Sequence, residues 1–189
     1  MPGLAAQLSA GVGAIELDLF PDPQGGAYQY SAALKALGAR DSVLQDPDWR
    51  KPGPKVMHVV DADFQTTCVL LQGCLEQLRN WSDARGGRHL PITVYLELKG
   101  ASSSVAALLS QPRIASLLSV FQSRLARGPP PNNFTVPVPW TLDGVLDIQS
   151  TILDVFSDQL LTPEELQLAN ASLATALLDS PTWYGNAQI

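Results

Sequence analysis

The chain has 189 residues, enough for one domain with a real core. Hydrophobic residues make up 46% and charged residues 16%, which excludes a disordered chain and points to a globular one. The net charge of -6 argues against a nucleic-acid binder, though not against a local cationic pocket for a phosphate, and no apolar run reaches the ~18 residues of a membrane span.

In chain order, Met1 to Ala14 has neither a basic start nor a long apolar core, so no signal peptide is read there. Residues 3–10 read as the end of a helix closed by Gly11. Residues 12–19 read as a first strand, in which Ile15, Leu17 and Leu19 alternate with Glu16 and Asp18. With period two, the two acids share one face and the three apolar residues the other. Carboxylates on one face repel unless something offsets them. A Pro/Gly-rich loop follows from Pro21 to about Pro54, and so long a loop is usually functional or inserted. "KVMHVV" (residues 55–60) reads as a second strand ending in "DADF".

Residues 66–84 carry a helical pattern, with Leu71, Leu75, Leu78 and Trp81 or Ala84 on one face, Thr66 or Thr67 as N-cap, and Gly86-Gly87 as terminator. Cys68 and Cys74 lie six apart, a turn of roughly 600° on a continuous helix. A bridge is therefore open to them only if Cys68 lies in the turn before the helix; two buried thiols is the other reading. "PITVYLEL" (residues 91–98) is a third strand whose apolar density suits a parallel strand covered on both faces. Further helices are expected around Ile114–Leu125, ending at "GPPPNN", and at about 141–156. "DQLL" offers a short fourth strand, and Thr162, Pro163 and Glu165 form a capping box that opens a last helix to about Leu178.

Strands alternating with helices argue for an α/β fold with parallel strands. About four strands fall short of a closed barrel of eight, which needs about 250 residues. Either the sheet is open or the chain is part of a barrel. Sequons at Asn80, Asn133 and Asn170 favour a secretory or extracellular route and leave a cytoplasmic one open.

Glu16 and Asp18, His58, and Glu97 with Lys99 all fall near the carboxyl ends of predicted strands, where barrels gather functional residues. Three acids suit Ca²⁺, which takes several hard oxygen ligands and would offset their repulsion. His58 suits a general acid or a hydrogen-bond donor to phosphate, and Lys99 a point charge for a substrate phosphate. Taken singly, Glu16 and Asp18 are also explained as a solvated strand face, His58 as a structural histidine, and Glu97 with Lys99 as a surface pair. Asp61 and Asp63 are either further ligands or turn residues. His89 sits in a turn and reads as structural.

"LAAQLSAGVGAIELDLFPDPQGG", "KVMHVVDADFQTTCVLLQGCLEQLRNWSDA" and "LPITVYLELKG" resemble the calcium-dependent phosphoinositide phospholipase C family. The resemblance runs from Leu4 to about Lys99 and continues through "DQLLTPEEL". It implies part of a (β/α)8 TIM-type barrel of the PLC-like phosphodiesterase type, as a single partial domain over residues 1–189 that lacks the first strand and the last strands. Residues 101–157 are expected to be an insertion. The family's Glu-x-Asp metal pair falls on Glu16 and Asp18, its strand-ending acid on Glu97, its second catalytic histidine on His58 and its lysine on Lys99. Ca²⁺ is the implied cofactor and a phospholipid at a membrane surface the implied partner. The implied reaction cleaves phosphatidylinositol to diacylglycerol and a phosphorylated inositol.

The family's first catalytic histidine, with an asparagine ligand close behind, sits on an earlier strand that this chain is expected to lack. Gly13 stands where an arginine is usual and Gly100 where an acid is usual. The expectation is a phosphoric diester hydrolase, as a fragment with impaired activity. A glycerophosphodiester phosphodiesterase is the alternative, and a non-catalytic calcium- and phospholipid-binding remnant the alternative of another class.

Overall fold

A short helix, α1 (Leu4–Ser9), leads into the structure and buries Leu4 and Leu8. Gly11 closes it at φ +94°, a left-handed conformation that side chains resist. The alternating segment then forms strand β1 (Ala14–Phe20), with Ile15, Leu17 and Leu19 buried and Glu16 exposed. The computed structural model describes residues 2–31, 34, 43–104 and 134–160. Among these, two further strands, β2 (Lys55–Val56) and β3 (Thr93–Leu98), pair with β1 in the order β2-β1-β3. Two longer helices, α2 (Leu71–Asp83) and α3 (Leu142–Phe156), complete a mixed α/β arrangement.

The strand directions depart from the all-parallel expectation. β3 runs parallel to β1, in the register Ala14↔Thr93 through Leu19↔Leu98. β2 runs antiparallel to it, with Leu19↔Val56 and Phe20↔Lys55 paired. The described part of the connection from β1 to β2 includes a 3-10 turn at Pro47–Arg50. Gly25, at φ +78°, lies so close to this turn that a Cβ would collide with the Arg50 carbonyl oxygen.

The second strand is also shorter than residues 55–60. After Met57, whose N–H donates to Asp18 O, the N–H groups of His58 and Val59 both donate to Asp63 O. Asp61 takes a positive φ of 70° and lets "DADF" close on itself, which uses the strand's donors locally. The helix at α2 likewise starts at Leu71 rather than at Thr66 or Thr67. Residues 66–70 stay outside the helix because Val56 N donates to Val69 O and Lys55 bridges Leu70, which is itself extended. Thr66 Oγ1 donates to Cys68 O instead of capping the helix. Cys68 therefore lies before the helix, and it forms a disulfide with Cys74 across a Cα–Cα distance of 5.3 Å. Of the two open readings for the cysteines, the bridge is the one found.

β3 is not covered on both faces. Ile92, Val94 and Leu96 pack on the core, while Tyr95 is 62% exposed. "DQLL" is not a strand at its start, because Ser157–Gln159 form a 3-10 turn. The expected helices at 114–125 and 162–178 lie outside the described residues.

The main core lies under one face of the sheet. Ile15, Leu17 and Leu19 meet Leu71, Leu75 and Leu78 of α2 and Ile148 of α3. A second cluster of Phe20, Tyr28, Trp49, Met57, Val60 and Val69 closes the β2 end. The buried pair Lys55–Asp22 (3.1 Å) sits in this region, with the ammonium also bonded to the carbonyls of Lys51 and Gly53. One face of β1 is thus committed to helices, and the other carries the acids.

Candidate functional site

In a parallel pair, residues in register point to the same side of the sheet. Asp18 pairs with Glu97 in the β1–β3 register, and Glu16 lies one pleat earlier on the same face as Asp18. The result is a cluster in which one carboxylate oxygen from each of Glu16, Asp18 and Glu97 lies within 4.8 Å of the others.

Lys99 follows β3 directly. Its N–H continues the ladder by donating to Leu19 O at 2.9 Å, and its side chain folds back over the acids. Nζ lies 2.8 Å from Glu97 Oε1 and 3.5 Å from Asp18 Oδ1, and the side chain is 10% exposed. The Trp140 indole N–H donates to Lys99 O at 2.9 Å while its ring packs on the core, so the lysine backbone is held from a distant segment.

The four groups do not share one electrostatic environment. Burial pushes the Asp18 carboxyl up, with Glu97 and Glu16 adding to the rise and Lys99 opposing it. The Lys99 hydrogen bond holds the exposed Glu97 below the usual carboxylate range, with smaller help from His58. Burial works against the Lys99 ammonium, but its bond to Glu97 and the charge of Asp18 outweigh it and raise its pKa. Among the described residues, Asp18 Oδ1 is buried and accepts no hydrogen bond, even with Lys99 at ion-pair distance. Three carboxylates against one ammonium leave an excess of negative charge in the cluster.

His58 follows the short β2 strand, one residue after the Met57 N–H that bonds Asp18 O. Its ring is exposed, and Nδ1 lies 3.1 Å from Asp63 Oδ2. Its charge is the smallest of the causes that hold the Glu97 carboxyl down.

The model of a family described as "Phosphoinositide phospholipase C, Ca2+-dependent" matches residues 2–184. The chain belongs to the calcium-dependent phosphoinositide phospholipase C family. No curated protein and no solved structure matches it. Within this phospholipase C family chain, the residues present fit the Ca²⁺ of the family's description. Glu16, Asp18 and Glu97 offer hard oxygen donors from two adjacent strands, and Asp18 Oδ1 is a buried acceptor with an ion-pair partner but no hydrogen bond among the described residues.

Asp61 is not free to join these ligands. Its carboxylate accepts from Thr135 N and from Thr135 Oγ1, and so ties residue 135 to the turn. Asp63 serves His58. His89 is structural, with Nε2 2.7 Å from Ser82 Oγ and its ring against Trp81. Sequence reasoning missed two positioning groups, Asp63 as the partner of His58 and Trp140 as the anchor of Lys99. The first had a signal in the tight "HVVDAD" turn, while the second, 41 residues from its partner, had none.

Proposed function

We propose that this chain is a calcium-dependent phosphoric diester hydrolase of the phospholipase C type, acting on phosphatidylinositol-type lipids at a membrane surface. The observation that carries the reading is the convergence of Glu16, Asp18 and Glu97 within 4.8 Å on one sheet face, beside Lys99. The parallel β1–β3 pair, backed by helices on one face, is the unit that a (β/α)8 barrel repeats, and we assign the chain to part of such a barrel.

Glu16, Asp18 and Glu97 would hold the calcium ion. When bound, that ion supplies positive charge that stabilises the phosphoryl oxygens as negative charge builds on them. Lys99 pairs with a phosphate oxygen as a point charge. The inositol hydroxyl next to the phosphodiester attacks phosphorus and gives up its proton to water, the bond from phosphorus to the glycerol oxygen breaks, and a water molecule then opens the cyclic phosphate to the phosphorylated inositol. His58, steered by Asp63, gives a proton to the departing diacylglycerol oxygen.

A second reading has its own support. Of the two histidines in the chain, only His58 lies at the cluster, and no second histidine is there to take the proton of the attacking hydroxyl. That favours a calcium- and phospholipid-binding module with little turnover. The Cys68–Cys74 bridge and the sequon at Asn80, exposed on α2, support a secretory or extracellular setting, where disulfides persist.

Calorimetric titration with Ca²⁺ tests the site. Glu16→Gln and Glu97→Gln should each weaken binding by about tenfold or more, since each removes a charged hard ligand. Unchanged affinity in both would reject these ligands. Turnover of phosphatidylinositol against glycerophosphodiesters separates the enzyme subclasses, and calcium-dependent vesicle binding without turnover supports the second reading.

A further inference from the structure

Lys99 is placed oddly for a residue whose task is to meet a substrate phosphate. Its side chain is 10% exposed, and its ammonium points into the carboxylates rather than away from them. We propose that Lys99 is a tethered counter-ion that occupies the cation position of this cluster until calcium displaces it, so that metal binding itself delivers the lysine to the phosphate. The proposal rests on the reading of Glu16, Asp18 and Glu97 as calcium ligands, and adds to it how the site is kept and switched.

Three observations carry it. First, Nζ sits 2.8 Å from Glu97 Oε1 and 3.5 Å from Asp18 Oδ1, on two of the three acids that would hold the metal. Ammonium and divalent ion compete for the same oxygen lone pairs, and two cations in one carboxylate cluster repel each other. Second, the ammonium is an incomplete partner. It leaves Asp18 Oδ1 buried without a hydrogen bond, an acceptor that a harder cation would satisfy. Third, the backbone of Lys99 is held by bonds that do not involve its ammonium. The N–H is bonded to Leu19 O and the carbonyl to the Trp140 indole, so the four-carbon stem is the part that moves. Rotating that stem carries Nζ out of the cluster with no change in the strand register.

Two consequences follow for the metal-free protein. The three clustered acids do not force the strands apart, because one cation is always present. Calcium affinity is lower than the three carboxylates alone would give, because each binding event must break the Lys99–Glu97 pair.

Calorimetric Ca²⁺ titration of the full chain and of Lys99→Met provides the first test. The expected result is about tenfold tighter Ca²⁺ binding in Lys99→Met, because no ammonium remains to be displaced. Equal or weaker binding in Lys99→Met, alongside clear binding in the unaltered chain, overturns the counter-ion role and leaves the calcium site standing. No Ca²⁺ binding in either protein removes the functional reading and the inference together. A second measurement needs no variant and serves if Lys99→Met fails to fold. Acetic anhydride labelling of the unaltered chain, read by mass spectrometry at Lys99, should accelerate several-fold when Ca²⁺ is added. Lys51, exposed and paired with Asp48, should label at an unchanged rate. A Lys99 rate unaffected by Ca²⁺ at saturating concentration overturns the displacement.

Discussion

Asp18 and Glu97 face each other in register, yet their carboxyls are displaced in opposite directions. Burial raises Asp18, while the lysine hydrogen bond lowers the exposed Glu97. One lysine thus divides the pair into a carboxylate that is already paired and one that still lacks a donor on Oδ1. His58 has a comparable dependence on one neighbour, because Asp63 Oδ2 at 3.1 Å fixes which ring nitrogen points outward. His58→Gln should lower phosphatidylinositol turnover by about 10²–10⁴, the usual contribution of a positioned general acid. Asp63→Asn should lower it less and leave Ca²⁺ affinity in place, since neither residue touches the three acids. Steady-state turnover beside calcium titration checks both, and a Ca²⁺ affinity lost in Asp63→Asn would contradict this division of roles.

At the scale of elements, α2 holds the sheet in the position the site needs. Leu71, Cys74, Leu75 and Leu78 are at most 2% exposed and lie under β1. Leu75→Ala should cost about 2–5 kcal/mol by urea unfolding, through lost burial and the cavity left behind. The entry to α2 has no side-chain cap at its Leu70 N-cap, and the Cys68–Cys74 bridge spans that entry. Replacing both cysteines with serine should cost about 2 kcal/mol, the loop-entropy expectation for so short a ring. On the β2 side, Lys55 and Asp22 are buried together, and burial lowers the Lys55 pKa against the pull of Asp22. Asp22→Ala leaves that ammonium without its charge partner, and urea unfolding should show a loss of roughly 3–5 kcal/mol.

Across the whole molecule, residues 134–160 are stitched onto the sheet by long-range polar bonds. Thr135 bonds to Asp61, Val138 to the Tyr28 hydroxyl, Trp140 to Lys99, and Arg79 to the carbonyls of Val155 and Phe156. The Tyr28 hydroxyl joins two of these parts, since it donates to Pro21 O and accepts from Val138 N. Burial pushes its pKa up to about 12 from an ordinary value of 10.0. The folded value lies above the unfolded one, so the stability linked to this group is complete below pH ~10 and is lost as pH rises toward 12. That loss should amount to roughly 2–3 kcal/mol. In Tyr28→Phe, the unfolding free energy should fall less steeply between pH 10 and pH 12. An identical slope would remove Tyr28 from the account.

The residues show how much was legible without the fold. Period-two alternation placed Glu16 and Asp18 on one face of β1, and 3.6-residue spacing placed Leu71, Leu75 and Leu78 on the buried face of α2. Both signals are local, because backbone sterics alone set which way successive side chains point. The motif blocks carried the family in the same way, since they are short stretches read in order. Tertiary structure decided the rest. Nothing in "TVYLEL" says which strand it will pair with or in which direction, so the alignment of Glu97 with Asp18 appears only in the β1–β3 register. The early end of β2 depends on the turn that closes at Asp61, and the hold on the Lys99 backbone depends on Trp140 reaching it from another segment. The sequence by itself determined which acids exist and which face they take. Long-range pairing and burial, which no local pattern encodes, determined that they meet, and that a lysine meets them there.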